Sequence, residues 1–299
     1  MRELLQSNKL KSRSRLKAAA AHVAIEAAHA GSVALLHHFR KPLEVHSKGV
    51  ANYVSEADLA SESAVVQIIQ DAFPSHAILS EESHSDRADA DHSWIIDPLD
   101  GTNNYIHGMP HFAVSIGYYQ KGQGVLGIVT CPATGDWYVA GHGEGAWFNG
   151  QQIHVSKAQG LEQAMIACGF YYDRDQMMQS TLDTIGDLFR CQIHGIRRCG
   201  AAALDLAYVA AGWFDAFFEF QLSPWDIAAG AVLIQESGGQ ISDCKGQTIA
   251  LNRPSSICAS NGKLHPAMLD IVSGRISKKG DRGDLNPRPS EPQSDALTS

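Results

Sequence analysis

Ser93-Trp94-Ile95-Ile96-Asp97-Pro98-Leu99-Asp100-Gly101-Thr102-Asn103-Asn104 changes character halfway along its length. Ser93 to Ile96 is short, apolar and β-branched, the pattern of a buried strand. Pro98 and Gly101 interrupt that pattern, which predicts a strand ending at Asp97 and a tight turn carrying both Asp97 and Asp100. Two carboxylates held that close repel each other unless a hard divalent cation lies between them, and oxygen donors of this kind suit Mg²⁺. Gly101 and Thr102 stand where a helix can begin, so their N–H groups can face an anion. Carboxylates for a metal beside amides for a phosphate describe a phosphoryl site.

Taken alone, D-P-x-D-G is ordinary turn chemistry. Other segments in the chain give it a different meaning. Ile78-Leu79-Ser80-Glu81-Glu82-Ser83 lies upstream, and Ser223-Pro224-Trp225-Asp226-Ile227-Ala228-Ala229-Gly230 lies downstream. Between them runs Gly200-Ala-Ala-Ala-Leu-Asp-Leu-Ala-Tyr-Val-Ala-Ala-Gly212. With W-I-I-D-P-L-D-G-T-N-N-Y at 94–105, this set resembles the inositol monophosphatase family of Mg²⁺-dependent, lithium-sensitive phosphomonoesterases. The resemblance covers about residues 15–275. It implies an α/β (α+β) fold, a layered α-β-α-β-α sandwich with an antiparallel-rich sheet in the first half and a mixed one in the second.

Composition narrows the function independently. Lys plus Arg number 24 against 32 Asp plus Glu, a formal charge of −8, which argues against general nucleic-acid or membrane binding. An acidic protein that binds phosphate esters must find positive charge locally, and metal ions provide it. The six cysteines, at 131, 168, 191, 199, 244 and 258, form no C-x-x-C and mostly lie in apolar runs. They read as reduced core residues of a cytoplasmic protein. No apolar run reaches the roughly 20 residues of a membrane span. Glu26 and three histidines by residue 37 exclude the Ala-rich stretch from Ala18 as a signal sequence.

In chain order, residues 1–14 read as a flexible leader and 277–299 as a disordered tail. Residues 15–276 between them read as one catalytic domain of two tightly joined halves, about 15–155 and 156–276. Helical spacing runs from Arg15 to Phe39. Ser55-Glu56-Ala57-Asp58 has the form of a capping box launching a second helix to Phe73-Pro74, and Ala77 to Ser80 is a short strand that delivers Glu81 and Glu82. A polar loop over 84–92 follows. Strands over 112–119, 127–131 and 137–140 suit an antiparallel meander. Gly122, Gly124 and Gly127 spell G-x-G-x-x-G, but a strand follows rather than a helix, so the run is a hairpin turn and no dinucleotide site. The second half alternates strands at 164–170, 195–198, 215–220, 240–242 and 257–260 with helices at 175–190, 201–211, 227–236 and 265–276.

The resemblance assigns roles residue by residue. Glu81, Asp97 and the Leu99 carbonyl bind one metal, Asp97, Asp100 and Asp226 bind a second, and a third, weaker ion lies near Glu81; Mg²⁺, two or three ions, is the expected cofactor. Thr102 and Glu81 orient the attacking water, with Thr102 hydrogen-bonded to the acid matching Asp58. Asp58 and Asp226 each have a second reading, as acids at the start of a helix. Asp100, Gly101, Thr102, Gly200, Ala201, Ala202, Glu219 and Asp226 contact substrate, Glu219 gripping a ring hydroxyl and disfavouring a second phosphate. Lys48 matches a loop basic residue of bacterial members or is a solvated lysine. Gly108 departs from the family, where many members carry Lys or Arg. His107 and His111 are four apart, but Gly108 and Pro110 forbid the helix that would align them, so they read as surface or core histidines.

The resemblance implies Mg²⁺-dependent hydrolysis of a phosphate monoester by metal-activated water attack, with myo-inositol-1-phosphate as the expected substrate. Fructose-1,6-bisphosphate, nucleotide 3′-phosphate and histidinol phosphate are the alternative substrates, and a non-catalytic interaction protein is the alternative of another class. The expected partners are a small phosphate ester and a second copy of the chain in a homodimer.

Overall fold

The computed structural model describes residues 15–49, 52–83, 88 and 90–275. The leader at 1–14, the tail at 277–299 and much of the 84–92 loop lie outside the described residues. Two helices come first in space, α1 (Arg15–His38) and α2 (Glu56–Ala72), lying against each other and against one face of a seven-stranded sheet. Ala20, Ala24, Ala27, Ala28 and Leu35 form the buried stripe of α1. Gly31 continues it, because a Cβ there would lie 2.7 Å from Val65 Cγ2 of α2. This corrects one sequence expectation: Ala18–His38 is long and apolar enough to cross a membrane by length and composition. The hydropathy comes from alanines, and half of that window is buried inside the fold.

Seven strands make the first sheet, in the order β3-β4-β5-β6-β7-β8-β9. They are β3 (Ala77–Ser80), β4 (His92–Asp100), β5 (Ala113–Gln120), β6 (Gln123–Cys131), β7 (Asp136–Gly141), β8 (Gly145–Phe148) and β9 (Gln151–Ile153). Only β3–β4 is parallel. A five-stranded sheet follows, ordered β11-β10-β12-β14-β13 and mixed in direction. Its strands are β10 (Met165–Cys168), β11 (Gly195–Arg197), β12 (Ala216–Leu222), β13 (Gln240–Ser242) and β14 (Ser255–Ser260). Between the two sheets run α5 (Ala202–Ala210) and α6 (Pro224–Glu236), and outside the second lie α4 (Gln176–Arg190) and α7 (His265–Val272). The result is the expected α-β-α-β-α layering.

Three local departures have physical causes. The strand expected to stop at Asp97 continues to Asp100. Asp97 faces Ser115 and Asp100 faces Ala113, so β4 carries one residue more than β5 and bulges at Pro98, where no amide is needed for the ladder. The hairpin β1 (Val45–Gly49) with β2 (Asn52–Ser55) was not visible in the pattern, because β1 is exposed along its whole length and has no buried face to alternate. Strands β8 and β9 were missed for a similar reason, being three or four residues long among glycines.

The glycine run at 122–127 serves two purposes. Lys121 and Gly122 have φ of 52° and 75°, the left-handed pair that closes a two-residue hairpin between β5 and β6. Gly127 lets α6 lie against the sheet, since a Cβ there would sit 2.5 Å from the Ala229 carbonyl oxygen. That contact sets the position of α6, and with it Asp226.

Candidate active site

The bulge that ends β4 puts its two aspartates on one cleft. Asp97 and Asp100 are buried, Asp226 is partly buried, and one oxygen from each lies within 4.8 Å of the other two. The cleft holds about 320 Å³ and is also lined by Glu81, Leu99, Gly101, Thr102, Gly200, Ala201, Ala202 and Glu219. All the expected metal and substrate residues therefore converge, although Asp97 and Asp226 stand far apart in sequence. Asp58 lies behind this lining and reaches it through Thr102.

Each acid is held by its own local device. Asp97 accepts the Leu99 amide at 3.0 Å within the bulge, and Ser61 Oγ donates to the Pro98 carbonyl at 2.7 Å. Asp100 reaches across to the start of α5, where the Ala202 and Ala203 amides donate to its two oxygens at 3.2 and 2.8 Å. The Ala202 N–H expected to meet substrate is thus already engaged in fixing Asp100. Asp226 is the third residue of α6 and closes a capping box with Ser223, whose amide donates to Oδ2 at 2.7 Å. Asp58 holds the same position in α2: Oδ2 takes the Ser55 amide and hydroxyl at 2.8 and 2.6 Å. Its Oδ1 accepts Thr102 Oγ1 at 3.2 Å, and the same hydroxyl lies 3.1 Å from the Leu99 carbonyl. The helix-cap and site readings of Asp58 are therefore both realised in geometry.

Burial dominates the electrostatics. It raises the carboxyls of Asp97 and Asp226 well above their ordinary range, and mutual repulsion with Glu81 and Asp100 adds to the effect. Asp100 rises only to about 6, because the helix amides oppose burial. Glu81 is raised by burial and partly restrained by Lys48, whose ammonium lies 3.3 Å from Glu81 and 2.6 Å from Glu82. Burial and the neighbouring Glu81 push Glu82 up to about 7. Lys48 is thus a cleft-side cation and not a solvated loop lysine. Burial raises Glu219 to about 8 against the pull of Arg198, which favours the neutral carboxyl. The expectation that its charge repels a second phosphate is accordingly weakened.

The donor set fits Mg²⁺. It is all oxygen, it brings three carboxylates within reach of one ion, and its raised proton affinities show anions crowded without a compensating cation. Residues that could hold the ions are Glu81, Asp97, Asp100, Asp226 and the Leu99 carbonyl.

Sequence reasoning overlooked Arg198, Tyr172 and Asp205, all of which line the cleft. A usable signal for Arg198 was a pair of arginines immediately before Cys199-Gly200 in an acidic chain. At Gly108, Arg40 Nε donates to the carbonyl at 3.1 Å and brings a guanidinium close by. His111 and His107 are not aligned on a helix: α3 (Thr102–Ile106) ends before either.

The chain belongs to the inositol monophosphatase family, whose model matches residues 17–277. It is 43% identical over 240 residues to Nus factor SuhB of Pseudomonas aeruginosa, covering 78% of this chain and 88% of that protein. The extragenic suppressor protein suhB of Bartonella henselae superposes with a TM-score of 0.79 at 35% identity, covering 88% of this chain and 99% of that one. The IMPase of Thermotoga maritima superposes with a TM-score of 0.77 at 33% identity, over 84% and 95% of the respective chains.

Proposed function

We propose that this protein hydrolyses a phosphate monoester with the help of Mg²⁺, and that myo-inositol-1-phosphate is the substrate its cleft suits best. The observation that carries the reading is the convergence of Asp97, Asp100 and Asp226 beside Glu81 and Thr102 in one cleft. By resemblance, Glu81, Asp97 and the Leu99 carbonyl would hold one ion, and Asp97, Asp100 and Asp226 would hold a second. Bound Mg²⁺ supplies the positive charge that favours phosphate binding, water activation and departure of the leaving oxygen.

The chain's own residues do the rest. Thr102 spends its hydroxyl proton on Asp58 and Leu99, so its oxygen is left to accept from a water and aim that water's lone pair at phosphorus. Glu81 stands beside Thr102 in the cleft and is the acid that would take the water's proton, with Lys48 donating to its Oε1. The Asp100 anchor to α5 keeps the cleft wall rigid. Glu219, on β12 and fully inside the cleft, meets a polyol hydroxyl with a carboxyl that can either donate or accept.

Phosphate release with Mg²⁺ from inositol-1-phosphate, fructose-1,6-bisphosphate, a nucleotide 3′-phosphate and histidinol phosphate tests the reading. The highest kcat/KM is expected for inositol-1-phosphate, with turnover lost on chelation, slowed by Ca²⁺ and inhibited by Li⁺ but not by equal Na⁺. Release from none of the four would overturn hydrolysis, and a strong preference for another ester would move the substrate. By resemblance, the active form is a cytoplasmic homodimer.

The relative named Nus factor SuhB favours a second reading, in which the same fold serves a partner-binding role. Asp226→Asn separates the two, since it removes hydrolysis while leaving a surface elsewhere on the fold intact.

A further inference from the structure

Behind the carboxylate cleft lies a second cluster of a different chemistry. His111, just before β5, Cys199, just before α5, and Asp205, within α5, place a ring nitrogen, a thiol sulfur and a carboxylate oxygen within 4.8 Å of one another. Asp205 is 1% exposed. Its Oδ1 and the Nε2 of His111 are buried polar atoms without a hydrogen-bond partner among the described residues. A buried polar atom without a partner is costly unless something engages it; within the cluster the Cys199 side chain already hydrogen-bonds the Asp205 carboxylate, which joins two of the three donors.

The surroundings hold the three donors in place. Asn104 Nδ2 donates to the His111 carbonyl at 2.8 Å and to the Cys199 carbonyl at 2.9 Å, tying the two segments together. The Tyr208 ring meets the His111 ring edge-on at 5.8 Å, and the Asp205 amide is fixed by its helix bond to Ala201. Asp205 is thus carried by α5, while the connections bearing His111 and Cys199 are tied to each other by Asn104.

We propose that His111, Cys199 and Asp205 form a binding site for a zinc-class transition-metal ion, adjoining the Mg²⁺ cleft, whose wall includes Asp205. Imidazole nitrogen and thiolate sulfur are donors that Mg²⁺ avoids and that Zn²⁺ and Co²⁺ accept, with a carboxylate as a common third ligand. Neighbouring donors in a tetrahedral zinc site are roughly 3.3–3.8 Å apart, given bonds of about 2.0–2.3 Å. A side-chain adjustment of about 1 Å closes the present spacing to that range, with the fourth position open. Asp205 shares α5 with the Ala202 and Ala203 amides that anchor Asp100, so the two sites are joined through the first turns of one helix. The site is independent of which phosphate ester the cleft takes.

The test uses the full-length, metal-stripped protein with Mg²⁺ in excess, so that the all-oxygen cleft is filled. Titration with Co²⁺ is expected to give a thiolate-to-cobalt charge-transfer band saturating at one equivalent, and one equivalent of Zn²⁺ is expected to abolish it. The oxygen-only cleft cannot produce that band. Cys199→Ser should remove it, Cys191→Ser at the exposed cysteine should keep it, and His111→Gln should weaken Co²⁺ binding about tenfold or more. Melting curves without cobalt establish that each variant is folded, and His111→Gln carries the test if Cys199→Ser is not. A wild-type protein with no band, a band that survives Cys199→Ser, or cobalt affinity unchanged in His111→Gln would overturn the proposal.

Discussion

Asp58 and Asp226 occupy the same local position and face opposite neighbours. Each is the third residue of a helix and closes a capping box with a serine three positions before it. Each gives Oδ2 to that serine's amide. Asp58 then spends Oδ1 on the Thr102 hydroxyl, a neutral donor. Asp226 instead turns toward Asp97 and Asp100, two further acids. One signature, S-x-x-D, thus anchors a carboxylate rigidly in both places, and tertiary context decides whether the anchored group positions a hydroxyl or joins a cation site.

The largest expected effect breaks the comparison at Asp226. Asp226→Asn keeps a side chain able to cap but removes one oxygen anion from the trio. Under the phosphatase reading kcat should fall on the order of 10²-fold or more, about 3 kcal/mol of transition-state stabilisation. The metal-free melting temperature should stay level or rise, since one of several crowded acids is gone. Normal turnover in this variant would reduce Asp226 to a helix cap.

At the other box the loss should be smaller and shared. Asp58→Asn and Thr102→Val should each lower kcat by roughly 10²-fold or less, in the range of a single positioned proton relay. Their double variant should lose little more than either alone, because Asp58 acts through the Thr102 hydroxyl. Strictly additive losses in a double-mutant cycle would show that the two do not work as a unit.

Acidity offers a third way to separate the boxes. Burial pushes the carboxyls of Asp100 and Glu219 up to about 6 and about 8, and burial with mutual repulsion raises those of Asp226 and Asp97 well above the usual carboxylate range. Groups raised on folding bind more protons in the native state, so their stabilising contribution is present below about pH 4 and is lost as pH rises through the folded values. The metal-free protein should therefore melt at progressively lower temperature from about pH 5 to pH 8. Excess Mg²⁺ should flatten that slope, and so should Asp226→Asn. A metal-free melting temperature independent of pH over this range would mean that the acids are not crowded in solution.

The smallest effect concerns an acid that caps nothing. Glu219 sits on β12, and a Cβ at Gly169 would overlap its carboxylate oxygen, so its position is set by the strand and a missing side chain. With its carboxyl largely neutral below about pH 8, Glu219→Gln is nearly isosteric and isoelectronic there. Loss in kcat/KM for inositol-1-phosphate should be about threefold at pH 7 and larger above pH 8, where the lost charge-assisted bond amounts to ~1.5–3 kcal/mol. An aryl phosphate without ring hydroxyls should show neither change. Equal losses on both esters would make Glu219 a structural residue.

Much of this arrangement was legible in the sequence. Asp97 and Asp100 stand in a short motif between apolar and turn residues, and Ser223-Pro224-Trp225-Asp226 reads as a helix start, so family resemblance could tie them together. Long helices such as α1 and α4 carry enough turns for their spacing to show. Strand β4 was read too short because Pro98 looks like a terminator until the bulge opposite Ser115 and Ala113 is known. Strand β1 was invisible because exposure along its whole length leaves no alternation. The cluster of His111, Cys199 and Asp205 had no signal, since His111 comes from a segment that only the packed fold brings to the 199–205 stretch, and a histidine beside a proline otherwise reads as core or surface.

The placement of α6 has a consequence for the order in which the protein is made. Strands β4 to β8 bury one face against a helix encoded at 224–236. A nascent chain released from the ribosome only as far as β9 has that apolar face but not yet the helix that covers it. It also has Asp97 and Asp100 without the third acid, so the ion cannot act as an early template for assembly. During synthesis the meander must wait about 70 residues, several seconds at about 5–20 residues per second, with that face uncovered. Ile95, Tyr119, Val129 and Tyr138 on that face, which pack in one core with α6 in the finished fold, stay exposed to solvent until the helix emerges.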